Sequence, residues 1–135
     1  MVTIKGLDHI VLRTADIERM IAFYGDVLGC PVERRVDDLG LVQMRAGASL
    51  IDLVDVNGEI GRAGGAAAGE EARNMDHFCL RVVDFDAAAI ADHLSNSGVE
   101  PGEPARRYGA DGFGQSIYFQ DPDGNTVELK GPPED

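Results

Sequence analysis

The chain has no tryptophan, only two cysteines and three histidines among 135 residues. It is also short of positive charge: 12 Lys and Arg stand against 24 Asp and Glu, a formal net charge of −12. Each shortage excludes something. Two thiols, Cys30 and Cys79, are too few for a disulfide framework, so reduced thiols and a cytoplasmic setting are expected. An acidic surface repels nucleic acid and anionic membranes, so neither is an expected partner. No apolar run is long enough to span a bilayer. The start, Met1-Val2-Thr3-Ile4-Lys5-Gly6-Leu7, lacks the apolar core of a signal peptide and reads as the opening of a strand. With 44% hydrophobic residues the chain can still bury a core. Its length is that of one domain.

What the chain does have is a motif that occurs twice. Asp8-His9-Ile10-Val11-Leu12-Arg13 returns as Asp76-His77-Phe78-Cys79-Leu80-Arg81. Asp16 and Asp84 follow at the same offset, each before a helix-like stretch. A repeat of this size implies two copies of one small unit. A histidine at the same place in each copy suggests that the copies share one metal ion.

The first unit spans about residues 3–56. A strand over about 3–13 puts His9, Val11 and Arg13 on one face and Ile10 and Leu12 on the other. Asp16 is a suitable N-cap, and Met20, Phe23, Tyr24, Val27 and Leu28 make one helical stripe. Gly29 ends that helix and Pro31 stops its continuation. Short strands fit 32–37, 40–46 and 48–56. A Gly- and Ala-rich linker covers about 57–75. The second unit, about 76–130, repeats the order. Its first strand, 76–82, carries His77, Cys79 and Arg81 on one face. Asp84 or Asp86 caps a helix with Ile90, Ala91 and Leu94, which ends at Ser97-Gly98. A loop is expected over 101–114, holding Arg106, Arg107 and Tyr108. Strands 115–120 and 125–130 flank the turn Asp121-Pro122-Asp123-Gly124, and the tail 131–135 reads as disordered.

The expected class is therefore α+β: two βαβββ modules forming a concave, barrel-like sheet. One face of each sheet is covered by its own helix. The other must close against the partner unit or a second chain, and His9, Arg13, His77 and Arg81 point there. The last strand of each unit carries an acid between aliphatics, Ile51-Asp52-Leu53 and Val127-Glu128-Leu129. The aliphatics face the helix and the acid faces away. A buried carboxylate needs a partner, because an unpaired one costs several kcal/mol, roughly. Two inward imidazoles and a metal would supply it. Ser116 and Tyr118 alternate onto the same inner face, and Cys79 shares a face with His77.

These stretches, with Ile21-Ala22-Phe23-Tyr24, Val27-Leu28-Gly29 and Asp121-Pro122-Asp123-Gly124-Asn125-Thr126-Val127-Glu128-Leu129, make the chain resemble the vicinal oxygen chelate superfamily. That group includes glyoxalase I, bleomycin-resistance proteins, fosfomycin-resistance proteins and extradiol dioxygenases. The resemblance runs over about residues 5–130 and is closest in pattern to bacterial glyoxalase I-like proteins. It implies metal ligands at His9, His77 and Glu128 and a fourth at Asp52, one methylene shorter than the usual Glu or Gln. It also implies that Arg13 holds a glutathione-like anion. Val11 replaces the threonine used by fosfomycin-type thiol transferases, which disfavours that activity.

The function so implied is a glyoxalase-like lyase or isomerase using Ni, Zn, Co, Mn or Fe(II). Its small substrate would chelate the metal through adjacent oxygens, for example a glutathione hemithioacetal. Glu128 or Asp52 would move the proton. Arg13, Arg81, Cys79, Ser116 and Tyr118 are the candidate substrate contacts. Two alternatives are an extradiol-type dioxygenase with an Fe(II) facial triad, and a metal-free small-molecule-binding resistance protein. A homodimer is expected from the open inner faces.

Overall fold

The computed structural model describes residues 1–134. The chain divides into two compact units, Met1–Glu71 and Ala72–Asp135. Each contains a four-stranded mixed sheet and one main helix.

In the first unit, β1 is His9–Thr14, β2 Val32–Val36, β3 Leu41–Ala46 and β4 Ser49–Asp55. The sheet order is β1-β4-β3-β2, with β1 parallel to β4 and the other neighbours antiparallel. The first strand is shorter than the sequence suggests, because residues 1–8 lie outside the sheet. Helix α1, Ile17–Ala22, is capped by the Asp16 carboxylate, which accepts from the Arg19 amide at 3.1 Å. The expected single helix then widens into a π-turn, Phe23–Val27. This turn buries the adjacent residues Phe23 and Tyr24 together. They stand edge to face with centroids 5.2 Å apart. Gly29 has φ +69°, which a side chain would resist, and it ends the helix as expected. Leu12, Val42, Met44, Ile51 and Leu53 bury one sheet face, with Met20 and Tyr24 also in the core.

In the second unit, β5 is His77–Arg81, α2 Ala87–Asn96, β6 Ala105–Gly109, β7 Gly112–Gln120 and β8 Thr126–Lys130. The order β5-β8-β7-β6 repeats that of the first unit, with β5 parallel to β8. Of the two candidate caps, Asp86 holds α2, accepting from the Ala89 amide at 3.1 Å. Asp84 instead takes a left-handed conformation, φ 51°. The core here is smaller: Leu94, Ile117, Phe119, Val127 and Leu129.

Two sequence expectations are corrected here. The expected loop 101–114 holds only for 101–104, for β6 and the start of β7 form a hairpin over the rest. Its charges mislead because β6 is an edge strand, where Arg106 and Arg107 are tolerated in solvent. Tyr108 pairs with Phe113 across the hairpin, centroids 5.0 Å apart, and Arg106 stacks on Phe113 at 4.1 Å. The tail, read as disordered, is hydrogen-bonded along β7. The Gly131 amide donates to Gln115 O at 2.9 Å and the Glu134 amide to Phe113 O at 2.6 Å. Asp135 lies outside the described residues.

Candidate functional site

Each unit carries the same arrangement on the sheet face that its helix leaves free. In the first, register places Val11 beside Asp52 and Asp52 beside Gln43 on neighbouring strands. The aliphatic neighbours Ile51 and Leu53 are buried on the helix side, so Asp52 faces away from the helix. Asp52 is only 5% exposed, and Gln43 Nε2 donates to both of its oxygens at 3.3 and 3.2 Å. His9 lies on the same face, with Nδ1 2.7 Å from the Asp8 carboxylate. That hydrogen bond raises the His9 pKa above its ordinary value; burial opposes the rise and the nearby Asp52 charge adds to it.

The second unit repeats this with fuller contacts. Cys79, Glu128 and Tyr118 form one row across β5, β8 and β7. His77 Nδ1 lies 2.7 Å from the Asp76 carboxylate, the same adjacent-residue contact as at His9. Its Nε2 stands 3.1 Å from Glu128 Oε1. The Ser116 hydroxyl, fully buried, donates to the other Glu128 oxygen at 2.5 Å. Burial alone would push the Glu128 carboxyl up. The Ser116 donor, the Tyr118 hydroxyl, the His77 charge and the Cys79 thiol together outweigh that and hold it below its ordinary value. The Tyr118 ring meets the His77 ring edge to face at 5.4 Å.

The remaining candidates divide. Arg81 Nε is paired with Asp111 at 2.7 Å in an exposed bridge. Cys79 is exposed, yet burial of its sulfur and the adjacent Glu128 push the thiol up to about 11. It is therefore protonated near neutrality. Arg13 is committed within its own unit. Its guanidinium donates to Gly61 O at 3.1 and 2.9 Å, to Ala66 O at 3.1 Å and to Gly65 O.

Three contributors escaped the sequence reading. Gln43 holds Asp52, and its signal was the register of β3 against β4. Asp8 and Asp76 orient the histidines, a role implicit in the repeated Asp-His pair. The Asp121-Pro122-Asp123-Gly124-Asn125 stretch proves architectural. Asp121 accepts from the Asp123 and Asn125 amides at 2.9 Å and from the Asn125 side chain at 2.8 Å.

A model of the Glyoxalase/Bleomycin resistance protein/Dioxygenase superfamily matches residues 6–129. The chain belongs to this superfamily. Virulence protein STM3117 of Salmonella typhimurium is 30% identical over 128 residues, covering 93% of this chain and 83% of that protein. Integron cassette protein VCH_CASS1, from the mobile metagenome of V. cholerae, is 30% identical with a TM-score of 0.77, covering 97% of this chain and 98% of its own. A lactoylglutathione lyase from Agrobacterium tumefaciens shares the fold at 22% identity and TM-score 0.68, covering 94% of this chain and 93% of its own. The superfamily includes many metalloenzymes and commonly binds divalent metals.

The donor set fits such a metal. In each unit an imidazole has its Nδ1 engaged by a carboxylate, which leaves Nε2 as the ligating nitrogen. Each imidazole shares its face with one acid from the adjoining strand. An imidazole with a carboxylate on the same sheet face is a donor pair suited to Zn, Ni, Co, Mn or Fe(II). Among the described residues, no three His, Cys, Asp or Glu side chains gather as a metal cluster.

Proposed function

We propose that this protein is a metal-dependent lyase or isomerase acting on a small substrate with adjacent oxygens. The first candidate is the thiol hemithioacetal of a 2-oxoaldehyde. The observation that carries this reading is the recurrence, in both units, of an imidazole oriented by the preceding aspartate beside an acid of the adjoining strand. His9, His77, Glu128 and Asp52 are the proposed ligands of one divalent ion. When bound, that ion would polarise the substrate's oxygens and stabilise negative charge developing on them.

The two acids then take different roles. A proton carrier must change charge during turnover. Glu128 is held as an anion by Ser116, Tyr118 and Cys79, which suits a permanent ligand. Asp52 accepts from the Gln43 amide through both of its oxygens and is the acid left for the other role. Asp52 is the proposed base. A homodimer is proposed with it, since Met1, Val2, Ile4 and Leu7 expose an apolar segment leading into the edge strand β1.

Metal analysis of protein purified without chelator, followed by assay of methylglyoxal–glutathione hemithioacetal, tests the reading. One Ni, Co or Zn per site with loss of the hemithioacetal is expected. His77→Ala should abolish tight metal binding while the fold persists by circular dichroism; unchanged stoichiometry would refute the ligand set. Tyr118 against the His77 ring favours one second reading, a ring-cleaving dioxygenase. Bound iron with oxygen uptake on a catechol would select it. A protein that binds small molecules but no metal would select the resistance-type alternative.

A further inference from the structure

We propose that residues 58–66, latched by Arg13, form a fixed end wall on the first unit's helix-free face and limit the size of what can lie beside Asp52. That the molecule lying there is the substrate rests on the function proposed above. The wall itself does not.

Composition marks 57–75 as a linker, yet its first half is packed. It contains one turn of 3-10 helix, Gly61–Gly64. The Arg62, Ala63 and Gly65 amides donate to Gly58 O, Ile60 O and Arg62 O at 3.1, 3.4 and 3.1 Å. The Ile60 amide reaches outside the segment, to Leu39 O at 3.4 Å. Two glycines fit only because they lack side chains. A Cβ on Gly61 would stand 1.8 Å from Asp55 O, and one on Gly64 would stand 2.4 Å from the Arg13 guanidinium carbon. Arg13 holds the segment from the sheet. Its guanidinium donates to Gly61 O, Gly65 O and Ala66 O, using Nε and both terminal nitrogens. Charge-assisted bonds from one planar fork fix three carbonyls in one geometry. Arg13 is therefore a positioning residue for the segment.

The burial along this face shows where the segment lies. His9, Val11 and Arg13 alternate onto the helix-free side of β1. Their neighbours on β4 are Leu50, Asp52 and Val54. No helix covers this side, yet Val54 is 2% exposed, whereas Val11 is 50% exposed. Val54 is the residue beside Arg13, so the covered end of the face is the latched end. The methylene stem of Arg13 and the segment it holds supply the cover. Asp52 lies between the two ends. A molecule at Asp52 can extend over Val11 toward His9, but at Val54 it meets the wall.

The second unit has no counterpart. Arg81, in the place of Arg13, pairs with Asp111 in an exposed bridge, and Lys130 stands in the place of Val54. The wall is thus a feature of one copy of the repeat. A wall of this kind selects by size: it admits a small group on the Val54 side of the reacting carbons and rejects a bulky one. The substrate class it favours is a short 2-oxoaldehyde, with any larger portion directed past Val11.

Cysteine labelling of the metal-free full-length protein tests the wall without turnover. Val54→Cys should react with iodoacetamide about tenfold or more slower than Val11→Cys, the mark of a site reached only by local opening. Each rate is taken relative to the same cysteine in urea and read by mass spectrometry of its own peptide. Adding Arg13→Gln should remove most of that protection and speed trypsin cleavage after Arg62 about tenfold. Gly64→Ala, whose methyl would meet the guanidinium, should do the same, while Arg81→Gln should change neither. Slow amide exchange in β4 of each variant would show that the unit remains folded. Equal labelling of Val54→Cys and Val11→Cys in the otherwise native chain would overturn the proposal, as would cleavage after Arg62 at one rate with and without Arg13. In the loaded enzyme, Arg13→Gln should raise kcat/KM for the hemithioacetal of phenylglyoxal relative to that of methylglyoxal about tenfold. An unchanged ratio would overturn the role in selection. A protected Val54→Cys in a protein that binds no metal would defeat the lyase reading and leave the wall standing.

Discussion

At Arg13 three carbonyl oxygens lie within reach of one guanidinium, and it serves all of them. Its counterpart in the repeat, Arg81, meets Asp111 instead. The same motif position thus has two different partners, because the residues folded against it differ. Cys79 makes the same point about reactivity. It is solvent-accessible, yet its pKa is raised to about 11 by burial of the sulfur and by Glu128. Below about pH 9 the native and unfolded thiols are both protonated. Between there and pH 11 the native protein retains a proton that the unfolded chain has lost, so this group's contribution to stability falls as pH rises through that window. In metal-free protein at pH 8, alkylation of Cys79 by iodoacetamide should run about a hundredfold slower than for an ordinary cysteine, following the smaller thiolate fraction. The rate should climb steadily to about pH 11, as mass spectrometry of the labelled peptide would show. Labelling at the ordinary rate would mean that Cys79 lies clear of the Glu128 carboxylate.

The β6–β7 hairpin shows what element-level reading misses. Charge and glycine content over 101–114 suggest a loop, but an edge strand needs only one packed face and can wear arginines on the other. The βαβββ order itself called for a strand between α2 and β7, and 105–109 supplies it. The glycines there have a packing reason. A Cβ on Gly114 would approach Pro132 O to 2.5 Å and Gly131 O to 3.0 Å, so the tail can lie along β7 only where that residue lacks a side chain. Gly114→Ala should destabilise the protein by about 1–3 kcal/mol, the usual range for overpacking. It should also release the Glu134 amide from Phe113 O. Thermal denaturation with hydrogen exchange at Glu134 would check both; unchanged protection would show that the tail accommodates the methyl. The helix ends were better marked in the sequence. Asp16 and Gly29 bracket the first helical segment as expected, since capping is a local, short-range interaction.

Across the whole molecule, the repeat yields two units of like topology but unequal cores. The first buries Met20, Phe23, Tyr24, Met44 and several sheet aliphatics, whereas the second relies chiefly on Leu94, Ile117 and Phe119 within it. No helix of the described residues is long and apolar enough to cross a membrane. The exposed apolar residues of the N-terminal segment, Met1, Val2, Ile4 and Leu7, lead into an edge strand. Sedimentation equilibrium should therefore report twice the 14.4 kDa chain mass. Leu7→Lys should shift the population toward monomer, because a charge on an edge discourages pairing. A monomeric mass at all concentrations would remove the proposed dimer.

The sequence by itself determined the duplication, the α+β class, the two histidines and the two acids between aliphatics. Those signals are periodic or local, and they survive without knowledge of distant neighbours. Tertiary structure alone decided what each polar side chain does. Gln43 came to hold Asp52, Ser116 came to hold Glu128, and Arg13 turned to carbonyls 48 to 53 residues away. Hydrogen-bond partners across a sheet depend on strand register, and residues remote along the chain become neighbours only once that register exists.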